Sequence, residues 1–458
     1  MRQITRFVKL VLCLAAITTV CLFPDCNYAQ NIGPQIDEYM RAHVQQGNFS
    51  GTVIVAKNGK IVASNNYGMA NYEYDIPNSL QTKFQIGSMT KSFTAMAIML
   101  LDKHGLLSTD DAVVKYLPDF TFGNDITIHH LLTHTSGIPR LEDIPDYKTL
   151  MARNVPLEEI IKELYELPGE FAPGADYSYS NSGYMILALL IEAVAKKPYG
   201  DFLKENIFDP LGMTNTTLTD PKVLIKNRAV GYNTGGNAGL ENAEYENLFN
   251  FRGATGIYST AEDLYLFDRA LYTEKLLDGQ SLGKAFTPPE GRRYGYGWVI
   301  AERFGHRMIW HDGSTLGFQS YMARFPDDDA CIIILSNYIH APMSSIQKDL
   351  TAILFGEPYS LPKASITIDV DPTIYDLYLG KYKMENDDIV TITEEDNRLY
   401  GETLSAPMKF ELFPVSQDNF SVKIREGVGF TFEKDDNDKY NLIILHWGSD
   451  DISGIRIE

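Results

Sequence analysis

Between Ser88 and Gly105 the chain carries Phe93, Met96, Ile98, Met99, Leu100 and Leu101, apolar side chains spread around almost every side of a helical wheel. A helix built this way has no face to give to water, so other elements must enclose it. The pattern predicts a buried helix over 88–104, stopped by Gly105. Strand-like stretches lie on both sides of it in sequence. Phe49 to Lys57 and Lys60 to Ala63 flank Asn58-Gly59, a pair that accepts the positive φ angles of a type I′ turn, and so predict a hairpin. A second group runs from Tyr294 to Leu335 and is broken at Phe304-Gly305, Asp312-Gly313 and Pro326-Asp-Asp-Asp329. Helical patterns over Gly183–Ala195 and Ala261–Leu271 fall between the two groups. The expected fold class is therefore α/β (α+β): an antiparallel sheet joining distant chain segments, flanked by helices.

Both ends of the chain read differently. Arg2, Arg6 and Lys9 precede the apolar run Leu10–Phe23, and small or polar residues follow to Ala29. This is the form of a secretory signal, so residues 1–29 are expected to be removed and the product exported, periplasmic or secreted, with no integral membrane span left. Cys13, Cys21 and Cys26 lie in that leader, which leaves Cys331 alone in an apolar strand-like run as an expected core side chain. Residues 30–355 form the expected main domain. Three prolines between Gly356 and Pro372 mark a linker over 356–370. From Asp371 to Glu458 short alternating strands (Ile389–Thr393, Arg398–Glu402, Phe420–Ile424, Gly429–Glu433 and Leu442–Trp447) are separated by acidic turns and predict a small antiparallel barrel or sandwich. Lys plus Arg is 40 against 60 for Asp plus Glu, a net charge of −20. A surface of that sign argues against nucleic acid as a partner.

Three short motifs carry chemistry: Ser88-Met-Thr-Lys91, Tyr179-Ser-Asn181 and His311-Asp-Gly313. Each also occurs elsewhere: Ser-x-x-Lys at Ser281, Ser345 and Ser360, Tyr-x-Asn at Tyr245, and His-x-Gly at His446. Context separates them. Ser88 opens the all-apolar helix, beside the unpaired N–H groups of its first turn, and Lys91 lies one turn on along the same face. An amine in such surroundings is costly to keep charged and can act as a base toward the hydroxyl. Ser360-Leu-Pro-Lys363 and Ser281-Leu-Gly-Lys284 carry a proline and a glycine that suit a rigid helix poorly. His129, His130 and His134 are spaced like metal ligands, but no Glu follows His130, so the signature of a zinc protease is missing and no metal or organic cofactor is expected. The Asn233–Gly239 loop is a candidate border to the cleft.

Phe84-Gln-Ile-Gly-Ser-Met-Thr-Lys-Ser-Phe-Thr94, Leu131-Leu-Thr-His-Thr-Ser-Gly-Ile-Pro139 and Tyr179-Ser-Asn-Ser-Gly-Tyr184 resemble the serine β-lactamase-related family, which includes class C β-lactamases, low-molecular-mass penicillin-binding proteins, D-aminopeptidases and esterases. Asp209–Met213, Gly256–Leu264 and Tyr294–Trp298 look like its other recurrent stretches, and the tail resembles a lipocalin-like domain. The resemblance implies Ser88 as the acylated nucleophile, Lys91 as its activating partner and Tyr179 as a proton relay. It implies substrate contacts from Asn181, His311, Gly313 and the backbone N–H of Ser314, which with that of Ser88 would form an oxyanion hole. Gly313 would leave room for substrate backbone, and Lys91 with a partly charged His311 would lower the pKa of Tyr179. His311 stands where many β-lactamases have lysine, which favours the peptidase and esterase branches. The expected activity is serine hydrolysis of a D-amino-acid peptide, a β-lactam or a small ester. The alternative is a penicillin-binding sensor, or another binding protein of this fold, that does not turn over.

Overall fold

The computed structural model describes residues 24–145, 147–153, 155–234, 240–245, 247–362, 370–404, 409–422, 428–447 and 450–458. The expected leader up to Phe23, residues 235–239 of the candidate cleft loop, 363–369 of the expected linker and the end of the strand expected over 420–424 lie outside the described residues. Helix α1 (Pro24–Gln45) leads into β1 (Gly51–Lys57) and β2 (Lys60–Tyr67). The turn between these strands has φ of 51° at Asn58 and 64° at Gly59, as expected from that pair. Four later strands, β3 (Val299–Arg303), β4 (His306–Thr315), β5 (Phe318–Phe325) and β6 (Ala330–Ser336), complete one antiparallel sheet in the order β3-β4-β5-β6-β1-β2. The first hairpin thus joins the last strand across most of the domain, with Gly51 opposite Ser336 and Ala56 opposite Cys331.

Side chains on these strands alternate between two cores, because neighbouring residues point to opposite faces. Val53, Val55, Ile332 and Ile334 pack on the face covered by α1 and by α7 (Met343–Phe355). Ile54, Ala56, Cys331, Ile333 and Leu335 pack on the other, with the central helices. Cys331 is fully buried and burial holds its thiol well above its ordinary pKa, so it is a core side chain.

Those central helices are α2 (Thr90–Lys103), α3 (Ile128–Leu132), α4 (Asn181–Ala195), α5 (Ala261–Ala270) and α6 (Gly279–Ala285). Every residue of α2 from Thr90 to Leu101 is buried, and each large apolar side chain so enclosed contributes roughly 1.5–3 kcal/mol relative to exposure. Gly105 follows with φ of 67° and ends the helix. Ser88 sits just outside α2, in the 3₁₀ turn Gly87–Met89 that feeds it. One expectation fails: Ser281 and Lys284 lie within α6 in spite of Gly283, because Asp278 caps that helix through the Ser281 N–H. There Lys284 pairs with Asp102 at the surface, 3.4 Å away.

The tail is a closed antiparallel barrel of eight strands, β7 (Gly380–Met384), β8 (Ile389–Glu395), β9 (Arg398–Thr403), β10 (Lys409–Pro414), β11 (Asn419–Val422), β12 (Val428–Lys434), β13 (Tyr440–Trp447) and β14 (Asp450–Arg456). Pairing of β7 with β14 closes it and leaves no free edge. Its core gathers Tyr378, Tyr382, Phe420 and Phe432, with Tyr378 stacked on Phe432 at 4.4 Å.

Candidate active site

Gly87, with φ of 51°, makes the turn that presents Ser88, and it does so against the sheet. A Cβ added at Gly87 would come 2.9 Å from Ser314 N, and one added at Gly313 would come 2.1 Å from the Ile86 carbonyl oxygen. Ser320, opposite Gly313 in the β4–β5 ladder, donates its hydroxyl to the same Ile86 oxygen at 2.7 Å. The turn that carries Ser88 is therefore seated directly on β4. This corrects the expected purpose of Gly313: the space above its Cα is taken by Ile86 of the chain itself, not left for substrate backbone. Ser88, Asn181 and Ser314 line one pocket of about 270 Å³, which brings the backbone of Ser314 beside Ser88.

Lys91 is fully buried, and burial lowers its pKa to about 7. Its Nζ lies 3.0 Å from Ser88 Oγ, and it donates to Asn181 Oδ1 at 2.9 Å and to the Ala254 carbonyl at 3.1 Å. A neutral amine has two N–H groups and one lone pair. The amide oxygen of Asn181 and the carbonyl oxygen of Ala254 can only accept, so they hold the two N–H groups and leave the lone pair aimed at the Ser88 hydroxyl. Asn181, half-buried at the start of α4, turns its Nδ2 toward Glu142 Oε1 at 3.4 Å. Its side chain thus orients the lysine, and one Nδ2 hydrogen remains for a substrate.

Tyr179 stands beside the Ser88–Lys91 pair. The lysine Nζ lies 4.8 Å from its ring centroid, and its hydroxyl hydrogen-bonds Ser88. Part of the ring faces solvent, but the enclosed hydroxyl has its pKa raised by burial, an effect the bond to Ser88 only partly offsets. The phenol expected to be acidified is instead held protonated. His311 explains part of this. Burial first, and then the neighbouring Lys91, push its pKa down to about 3, so it is neutral and gives no positive field. Both its ring nitrogens are engaged: Nδ1–H donates to the Asp312 carbonyl at 2.5 Å, and Nε2 accepts from the Tyr294 hydroxyl at 2.8 Å. At 2% exposure His311 anchors β4 to Tyr294 rather than offering a nitrogen to substrate.

His134, Tyr294 and Glu142 belong to this site and were not singled out for it by sequence. His134, with φ of 58°, accepts the Ser180 N–H at Nδ1 (3.0 Å) and the Ser178 N–H at its carbonyl (3.0 Å), and its ring lies 4.3 Å from that of Tyr179. The Leu131–Pro139 stretch was the available signal. His129 turns to the Tyr296 hydroxyl and His130 to the Thr127 N–H, so the three histidines face different partners. Among the described residues no group of three or more His, Cys, Asp or Glu side chains could hold a metal ion.

The arrangement of a serine on a turn seated against β4, with a buried lysine and a tyrosine around it, can be set beside known proteins. The β-lactamase family model matches residues 36–354. The chain belongs to the β-lactamase family. It is 32% identical to penicillin-binding protein 4* of Bacillus subtilis (strain 168) over 422 residues, covering 85% of this chain and 92% of that one. Its fold is similar to that of an octameric penicillin-binding protein homologue from Pyrococcus abyssi (25% identity, TM-score 0.64, 92% of this chain and 99% of that one). It also shares the fold of D-amino acid amidase from Ochrobactrum anthropi SV3 (23% identity, TM-score 0.62, 72% and 98%). Membership of the β-lactamase family supports a serine-hydrolase type of activity.

Proposed function

We propose that this chain is an exported hydrolase that opens amide or ester bonds through an acyl-enzyme on Ser88. The observation that carries the reading is the 3.0 Å contact of Ser88 Oγ with an amine whose other two directions are fixed by Asn181 and Ala254. Neutral Lys91 takes the hydroxyl proton as Ser88 attacks the carbonyl carbon. The N–H groups of Ser88 and Ser314 receive the oxyanion, each worth roughly 3–4 kcal/mol of barrier. Tyr179, protonated, hands its proton to the departing amine or alcohol and is reprotonated from Lys91. A water then attacks the ester carbonyl and gives a proton to neutral Lys91, which returns it to Ser88 Oγ as the acyl C–O bond breaks and the acid leaves.

Amides and esters that carry no carboxylate beside the scissile bond suit the pocket better than β-lactams. Glu142 and Asp312 are the charged groups acting on Lys91, and His311 is neutral, so a substrate carboxylate meets no fixed cation there. The test is a panel of D-alanyl peptides, D-aminoacyl amides, short acyl esters and a chromogenic cephalosporin, run beside Ser88→Ala. Turnover of amides or esters that vanishes in the variant is expected. Retained rates in Ser88→Ala would refute the assignment. A permanent mass adduct after penicillin with no turnover would instead indicate a sensor.

A further inference from the structure

The pocket at Ser88, about 270 Å³, falls just short of the roughly 300–1,000 Å³ that encloses a drug-sized ligand. It adjoins a second cavity of about 960 Å³, and the two share Leu248, Thr315 and Leu316 as lining. The direction in which a substrate would enter that cavity follows from the proton donors. Tyr179, His134, Tyr294 and His311 pack against one another at one end of the nucleophile. A departing amine has to face Tyr179. The acyl part of the substrate then points the other way, along Ser314, Thr315 and Leu316.

The larger cavity has a built floor. Gln85, three residues before the nucleophile, donates Nε2 to the Tyr258 hydroxyl at 2.6 Å. Arg228 lies with its guanidinium 5.9 Å from the centroid of the same ring and interacts with its hydroxyl. Phe318 packs edge-on against Tyr258 at 6.4 Å. The backbone around Arg228 is pinned by Ala229 N–H to the Lys83 carbonyl and Lys83 N–H to the Asn227 carbonyl, at 3.0 and 2.8 Å. Among the described residues Arg228 is the one cation lining this cavity and forms no ion pair, while Asp220 and Glu244 stand on the walls. A guanidinium over an aromatic ring, with no carboxylate partner among the described residues, is disposed to bind one.

We propose that this groove binds the acyl part of an extended, peptide-like donor and that Arg228 holds a carboxylate carried by that part. The inference rests on the acyl-enzyme reading of Ser88 and adds to it which acyl groups are preferred. The test uses the full chain and D-alanine p-nitroanilides that share one leaving group and differ in the N-acyl group: acetyl, glutaryl, or the neutral glutaramoyl. The glutaryl compound should exceed the glutaramoyl one in kcat/KM by about tenfold, mainly through KM, as a charge-assisted contact of a partly exposed arginine allows. Arg228→Gln should bring that ratio to within about twofold, and Arg228→Lys should keep part of it. Equal rates for the two compounds in the wild type, or an unchanged ratio in Arg228→Gln, would overturn the proposal while Ser88-dependent hydrolysis of p-nitrophenyl acetate still stood. Absence of that acetate turnover in the wild type would overturn the hydrolase reading itself, and this proposal with it.

Discussion

Lys91 Nζ and Asn181 Oδ1 lie 2.9 Å apart although ninety positions of sequence separate them. The contact makes a buried amine directional. With the Ala254 carbonyl it uses up the N–H groups of the neutral lysine and leaves one lone pair, toward Ser88. Removing either acceptor would leave the lysine a base without an aim.

Activity should follow the protonation of that amine. Lys91 is depressed from 10.5 to about 7 by burial, so the competent neutral form accumulates as pH rises through about 7. Below that, kcat/KM for a neutral ester should fall about tenfold per pH unit. A profile flat between about pH 5 and 8 would mean that another group takes the Ser88 proton.

The same burial costs stability, with the opposite benefit on replacement. A lysine whose folded pKa lies below its unfolded value destabilises the fold progressively as pH drops from 10.5 toward about 7, and by a constant amount below that. Lys91→Met should therefore be inactive yet more stable by roughly 1–3 kcal/mol near pH 6, with little gain near pH 10. Urea unfolding at the two pH values measures this, and equal changes at both would contradict it.

Tyr179→Phe separates proton delivery from nucleophilic attack. Loss of the hydroxyl should lower amide hydrolysis by roughly 10²–10⁴-fold, and hydrolysis of an activated p-nitrophenyl ester much less, since that leaving group departs without a proton. Equal losses on both substrates would assign the tyrosine to another step.

His134→Phe keeps a ring against Tyr179 but strands the buried Ser180 N–H. Such an orphaned donor costs about 1–3 kcal/mol, seen as a lower Tm. The turn carrying Tyr179 and Asn181 should loosen with it, so kcat should drop even for the folded fraction.

Gly313→Ala should be the most damaging small change on the sheet. Its Cβ would meet the Ile86 carbonyl oxygen at 2.1 Å, and that backbone atom cannot rotate away as a flexible side chain would, so the turn carrying Ser88 must lift off β4. Acylation of Ser88 should slow by at least about a hundredfold as the oxyanion donors separate, read by single-turnover mass spectrometry. A near-normal acylation rate would show that the seat of Ser88 on β4 is not what aligns them.

Much of the scaffold was legible. Asn58-Gly59 specified its turn, the all-apolar run specified an enclosed α2, and the period-two pattern after Asp371 specified short antiparallel strands, though β7, β10 and β14 went unread. These signals are local, since a turn residue or a periodicity acts over a few positions. Ser88, Lys91, Tyr179 and Asn181 were nameable as a set, and the structure brings them into contact through Lys91 Nζ. The roles expected of Gly313 and of His311 did not survive, because both depend on what a distant segment places against them.

The amino-acid sequence by itself determined which elements form and which residues could carry a nucleophile, a base and a proton donor, because those properties reside in side-chain chemistry and short-range spacing. Only the tertiary structure decided their states. Burial brings the pKa of Lys91 near neutrality, keeps Tyr179 protonated and leaves His311 uncharged, and the Ile86 carbonyl claims the space over Gly313. A protonation state is set by desolvation and by charges within a few ångströms, and those neighbours come from parts of the chain that meet only on folding.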